Sequence, residues 1–451
     1  MKTNTKITRK DTREHLAQFH LACELVKVIR HYFPGLLSML KRLDDPRCQS
    51  YITYESHVLL MTRILSSIFY ISSMRKTSEE FNSDTVIENI GYLCGKPELS
   101  ELPYWETIND YLKKLDPNQL QGVVCGLVRQ LIRSRVFEGS RIRGKYWQVI
   151  LDGTQLKSSR RELDPKSLYR THGKGTPEEY REYYYYVLEA KLVLRGNILV
   201  SIMTEFVENE DREAEKQDCE RKACRRLLEK LHKEFPRLPV CLSADSLYAC
   251  ETFFEECRGY GYHYLLRFKE GSIPYVAKEF VALRNRERNQ QKEETEDRIR
   301  WSDYVNEIDY EGHQVNLIEY REEKSREKGK REEKNFLFIT DLPVTKKNVK
   351  ATAEAGRERW KIENEGFNTQ KNHGYCLEHM YSRQYQGMKN HYYLIQIGHM
   401  IAQVMEAWES LWKKVKQSRE QKHHRILESW KQDKLKEYTQ EIEKEFQIRF
   451  G

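Results

Sequence analysis

Residues 146–154 read Tyr-Trp-Gln-Val-Ile-Leu-Asp-Gly-Thr, and at this stretch the hydrophobic period changes from that of a helix to that of a strand. Upstream, from about residue 14 to 136, the segments HLAQFHLACELVKVIRHYF, ESHVLLMTRILSSIFYISSMRK and PNQLQGVVCGLVRQLIRSRVF carry apolar residues three and four apart, the mark of amphipathic helices. Pro103 and the Asp116-Pro117 step punctuate them, and Thr107 is read as the cap of a helix over Asp110 to Leu115. Downstream, β-branched and aromatic runs at 183–194 and 197–206 predict two strands joined at Arg195-Gly196-Asn197. An amphipathic helix over 213–234 stops at Phe235-Pro236, and a buried strand over 239–244 delivers Asp245. A helix over 249–258, strands at 262–268 and 336–340, and helices over 348–372 and 388–414 complete the pattern.

This order predicts an α/β fold: a mixed sheet with flanking helices, preceded by a helical N-terminal domain over 1–145 that is a candidate for DNA binding. The core occupies 146–269 and 336–412. Charge runs such as RNRERNQQKEETEDRIR and YREEKSREKGKREEK surround a strand-like Gln314 to Tyr320, which predicts a charged, β-containing insertion over 270–335. A basic helical tail over 413–451 is expected to be a peripheral arm.

Composition sets the bounds. A chain of 451 residues exceeds what one core usually organises. Its 39% hydrophobic content is enough for real cores and argues against global disorder. Lys and Arg number 77 against 69 Asp and Glu, a net charge of +8, which permits a nucleic-acid partner without demanding one. None of the ten cysteines forms a C-x-x-C pair, so no zinc ribbon or redox motif is read, and scattered reduced thiols point to the cytoplasm. The N-terminus MKTNTKITRKDTREH is polar and no apolar run approaches a membrane span.

The chemistry is read in three carboxylates. Asp152 ends the first strand, Asp245 ends the strand after the amphipathic helix, and Glu363 lies on a late helix able to pack back on the sheet. Two Mg²⁺ ions about 3.5–4 Å apart need hard oxygen ligands from several elements, and such carboxylates supply them. Each has a plainer reading alone: Asp152-Gly153 as a turn, Asp245-Ser246 as a helix cap, Arg359 and Glu363 as a surface ion pair at four-residue spacing. Their order and context decide for a shared site.

The segments LeuAspGlyThr at 151–154, AlaAspSerLeuTyr at 244–248 and ArgTrpLysIleGluAsn at 359–364 resemble the three motifs of cut-and-paste bacterial insertion-sequence transposases of the DDE type. The resemblance covers about 146–400 and is most specific in the Arg-Trp-x-Ile-Glu block. It implies a ribonuclease H-like core with a β-rich insertion between the second Asp and the Glu. Asp152, Asp245 and Glu363 are then catalytic metal ligands for Mg²⁺, with Mn²⁺ able to substitute. The activity implied is cleavage at element ends followed by transfer of the 3′-hydroxyl to target DNA. The partners implied are DNA, as terminal inverted repeats and target, and a second copy of the chain on paired ends, in bacterial cytoplasm at the nucleoid. A catalytically inactive DNA-binding relative and a metal-dependent nuclease without joining are the alternatives.

By the same resemblance, the late helix should run Tyr, two residues, Arg, three residues, Glu, six residues, Lys. Arg359 is then a phosphate or DNA-end contact, and Lys371 a DNA contact. Two departures stand out: Gly356 occupies the Tyr position, and Gln370 the strict Lys position, with Lys371 one residue late. Seven helical steps rotate about 700° and eight about 800°, so Lys371 misses the Glu363 face by about 80° in a regular α-helix. A π-bulge near Asn364–Gly366 would restore the alignment. Glu365 is the rival third ligand. His373, Cys376 and His379 lack a fourth ligand and are not read as a metal site; His379, His391 and His399 are left to pack or to face DNA, and Trp301 is read as core.

Overall fold

The computed structural model of the chain describes residues 20–210, 217–325, 331–412, 417–444 and 448. The start of the first predicted helix, the centre of the YREEKSREKGKREEK run and parts of the tail lie outside these. Among the described residues seven α-helices precede the first strand: α1 (Leu21–Tyr32), α2 (Leu36–Lys41), α3 (Ser56–Ile68), α4 (Met74–Glu80), α5 (Asp84–Cys94), α6 (Trp105–Leu112) and α7 (Pro117–Arg133). At α7 the Asp116 side chain accepts from the Asn118 N–H and Pro117 fills the first turn, where its missing N–H costs nothing. Thr107 lies inside α6 rather than capping it, because Tyr104 begins that helix in extended backbone.

The strands are β1 (Trp147–Ser159), β2 (Leu168–His172), β3 (Tyr180–Leu194), β4 (Ile198–Val207), β5 (Val240–Ser243), β6 (His263–Phe268), β7 (Gln291–Glu294), β8 (Arg298–Tyr310), β9 (His313–Ser325) and β10 (Arg331–Thr340). They form one sheet in the order β2-β3-β1-β5-β6-β10-β9-β8-β7, with β4 also on β3. β1 is antiparallel to β3 and parallel to β5, and β5 is parallel to β6. The parallel connections pass through α8 (Glu220–Glu234) and α9 (Glu251–Tyr260). The mixed α/β, ribonuclease H-like fold expected from the sequence is the fold observed. β2 was not legible, since Leu168–His172 has no apolar alternation and pairs only with the polar start of β3.

The insertion is more extensive than its sequence suggested. After α10 (Pro274–Glu287), strands β7 to β9 build long antiparallel ladders that continue through β10 into the core sheet. Trp301 does not enter a core: it is half-buried on β8, opposite Arg321, whose guanidinium lies 5.8 Å from its ring centre.

The late helix is segmented. α11 (Val349–Arg357) ends before Arg359, a π-helix follows over Ile362–Asn368, and α12 (Thr369–Asn372) closes it. α13 (Tyr385–Glu406) then runs through the middle of the molecule, with nearly every side chain buried between α3 and α7 on one side and β4 on the other. The N-terminal helices and the sheet therefore share one hydrophobic core. The tail is not a peripheral arm. Its helix α14 (Arg419–Gln432) packs on α1 and α5, with Trp430 fully buried and Asn89 donating to the Trp430 and Asp433 carbonyls. No helix among the described residues is long and apolar enough to cross a membrane.

Candidate active site

β1 and β5 run parallel with Ile150 opposite Ser243. Asp152 stands two residues further along β1, and Asp245 two residues past the end of β5. Neighbouring strands lie about 4.8 Å apart, so the two aspartates leave adjacent positions at the same sheet edge. β5 ends there, while β1 continues against β3 with Asp152 opposite Glu189. Asp245 is exposed and caps the single-turn helix Ser246–Tyr248, its Oδ1 accepting from the Leu247 N–H at 2.8 Å. Capping and a place in the site coexist, since one carboxylate oxygen remains free of that bond.

Glu363 reaches the same edge from the π-helix, which is joined to it through the Arg359 side chain. Arg359 Nη2 lies 2.8 Å from Glu363 Oε1, and Nη1 lies 3.6 Å from Asp152 Oδ2. Burial pushes the Asp152 carboxyl up to about 7; the Arg359 charge and the Gly153 N–H pull it back, while Glu363 and Glu220 push it further. A carboxyl raised mainly by burial is one whose ionised form a nearby cation would favour. Among the described residues no three His, Cys, Asp or Glu side chains converge as a ready-made metal cage. The guanidinium of Arg359 is the cation between Asp152 and Glu363.

The π-helix decides which neighbours join the site. Its wider turn sends the Gln370 side chain inward, where Nε2 bonds Gln396 Oε1 at 2.8 Å and contacts His399 Nδ1 at 2.8 Å. Lys371 stays outside and pairs with Glu378 at 2.9 Å. Glu365 faces away from the aspartates toward Arg419 of α14, at 3.1 Å. The helix is seated on Lys191 of β3, which has no exposed surface. Lys191 Nζ bonds Gln396 Oε1 at 2.9 Å and lies 3.6 Å from Glu189, below Gly366 and Phe367. Glu189 in turn accepts from Ser201, Thr204 and Tyr392, so a satisfied buried network underlies the site.

The missing Tyr has a steric cause. A Cβ on Gly356 would sit 2.7 Å from two ring carbons of Phe338, so any side chain there would force that ring or the helix to shift. Of the histidines, His391 is buried between Arg63 and Asn109, His399 packs on Gln370, and His379 stacks edge-on to Tyr381.

One site residue escaped the sequence reading. The backbone N–H of Arg267, on β6, donates to Ala244 O at 3.0 Å, which sets this arginine beside Asp245. Its guanidinium lies over Phe336 and Phe338 and donates to the Leu337 and Asn335 carbonyls. Burial lowers its pKa first and the nearby Arg359 charge second. The only signal in the sequence was an arginine near the end of the otherwise apolar strand YHYLLRF. Trp360, next to Arg359 in the chain, is 44% exposed.

A family model described as a transposase DDE domain matches residues 144–401, more than half of the chain. That span begins just before β1 and ends within α13, so it takes in all three carboxylates, Arg267 and Arg359. No curated protein matches the chain.

Proposed function

Because the chain belongs to the DDE transposase family, we propose that it cuts DNA at the ends of a mobile element and joins the freed 3′-hydroxyl to target DNA, with Asp152, Asp245 and Glu363 as the metal-binding carboxylates. The observation that carries this reading is the Arg359 bridge: two carboxylates from distant parts of the chain already share one cation at the strand edge that bears Asp245.

The donor set fits divalent metal. All three groups offer hard oxygens, and burial holds the Asp152 carboxyl above its ordinary range, where a bound cation would favour the ionised form. Mg²⁺ or Mn²⁺, when bound, would supply the charge that activates the attacking oxygen and stabilises the leaving one. The chain's own residues do the rest. Arg359 and Arg267 supply guanidinium groups for phosphate oxygens, with the planar fork suited to them. The buried Lys191–Gln396–Gln370 network holds the π-helix so that Glu363 faces the aspartates. Lys371, outside and paired with Glu378, is available to a DNA backbone. Joining two ends implies a second copy of the chain on the DNA.

Purified protein incubated with supercoiled donor DNA and Mg²⁺ tests this reading. Strand transfer supports it. Cleavage without joining would reduce the protein to a nuclease, and binding alone would make it an inactive relative.

A further inference from the structure

Glu220 is the first residue of α8 and stands close enough to Asp152 for its charge to act there. Its Oε2 accepts from Tyr186 Oη at 2.8 Å, and its Oε1 accepts from Tyr248 Oη at 2.7 Å. The Tyr186 ring covers Gly153, the residue after Asp152, so closely that a side chain at 153 would overlap it. Tyr248 closes the turn that Asp245 caps. One carboxylate thus ties the two aspartate-bearing segments together.

Neither charge nor helix geometry accounts for this arrangement. The Glu220 charge helps push Asp152 upward, so electrostatically it opposes the ionised state a metal ligand needs. The helix dipole favours an acid in the first turn, but it does not bring two phenols onto that acid. Burial and Glu220 both raise the two phenols above their ordinary range, which keeps them protonated and able to donate to the carboxylate.

We propose that Glu220 is a positioning residue whose paired hydrogen bonds to Tyr186 and Tyr248 set the separation of Asp152 and Asp245, and through it their fit to a divalent cation. The inference rests on reading those aspartates as metal ligands. What matters is the bridge and not the charge. Glutamine, which can accept from one phenol and donate to the other, should replace glutamate; alanine should not.

The test is Mn²⁺ titration of the full chain followed by electron paramagnetic resonance, with melting temperature measured alongside. Asp152→Asn is the control: if it binds Mn²⁺ as the wild type does, the metal-site reading itself fails. Given a loss in that control, Glu220→Ala is expected to weaken Mn²⁺ binding by roughly tenfold or more, as loss of groups that orient metal ligands does. Tyr186→Phe and Tyr248→Phe each weaken it while melting near the wild type, and Glu220→Gln retains most of the affinity. Wild-type affinity in Glu220→Ala, or in both Phe variants, overturns the proposal, as does Glu220→Gln binding as weakly as Ala. Should Glu220→Ala fail to fold, the two Phe variants decide.

Discussion

Arg359 stands between Asp152 and Glu363, 3.6 Å from the first and 2.8 Å from the second, although the two acids belong to a strand and a π-helix far apart in the chain. On the proposed reading, the guanidinium that balances their charge also meets a phosphate of the DNA. Arg359→Ala should therefore lower strand cleavage by about tenfold to a hundredfold, the range expected for losing a charge-assisted hydrogen bond. Arg359→Lys should not restore it, because one ammonium cannot address both acids through separate nitrogens. Plasmid cleavage rates decide the matter, and full activity in the Lys variant would contradict the bridge.

Asp152 makes metal-free stability depend on pH. Its carboxyl is held near 7, against 3.8 for the ordinary group. Between those values the unfolded chain has released the proton and the folded chain has kept it, so rising pH favours unfolding across this window. Asp152→Asn removes the effect. With chelator present, the variant should melt above the wild type at pH 8 and close to it at pH 4. Equal melting at both pH values would show that Asp152 is not strained in this way.

Gly356 explains one departure from the family pattern and can be tested by restoring the expected residue. Gly356→Tyr should destabilise the fold by about 1–3 kcal/mol, the usual cost of overpacking, because its Cβ meets the Phe338 ring at 2.7 Å. Made in a Phe338→Ala background, the same change should cost less than it does in the wild type. Chemical denaturation of the variants measures both, and a single Tyr variant as stable as the wild type would refute the steric account.

Lys191 and Glu189 form a fully buried pair beneath the π-helix. Lys191→Met leaves Glu189 with its three hydroxyl donors but no counter-charge, and it removes the bond to Gln396. Breaking such a pair commonly costs about 3–5 kcal/mol. Lys191→Met should lower the denaturation midpoint by more than any exposed Lys→Met change on α8, and an unchanged midpoint would deny the pair its supporting role.

The sequence made the core legible where side chains alternate or repeat. β1, β3, β4 and β5 could be read from apolar runs, but Asp152 does not end its strand: β1 continues to Ser159 as the partner of β3, and only Asp245 stands just past the end of its own. The π-turn was legible for a different reason: Lys371 comes one residue late, and only a wider turn could accommodate that. The observed π-helix spans Ile362–Asn368 and includes the expected site. Lys371 nevertheless stays with Glu378, because the wider turn directs Gln370 inward and not Lys371 toward the aspartates.

What could not be read depends on contacts between distant segments. The docking of the tail needs Trp430 to find the N-terminal helices, and no local pattern encodes a partner hundreds of residues away. Arg267 reads as an ordinary strand residue until β6 is set beside Ala244. Glu220 reads as a plain first-turn acid until Tyr186 and Tyr248 close on it. Gly356 reads as a lost motif residue until Phe338 is placed beneath it.

The most direct measurement takes Asp152→Asn, Asp245→Asn and Glu363→Gln through one strand-transfer assay with donor and target DNA and Mg²⁺, with DNA binding measured on the same preparations. The prediction is that each variant binds DNA like the wild type and neither cuts nor joins it. Wild-type cleavage and joining by any one of the three would contradict a shared carboxylate site.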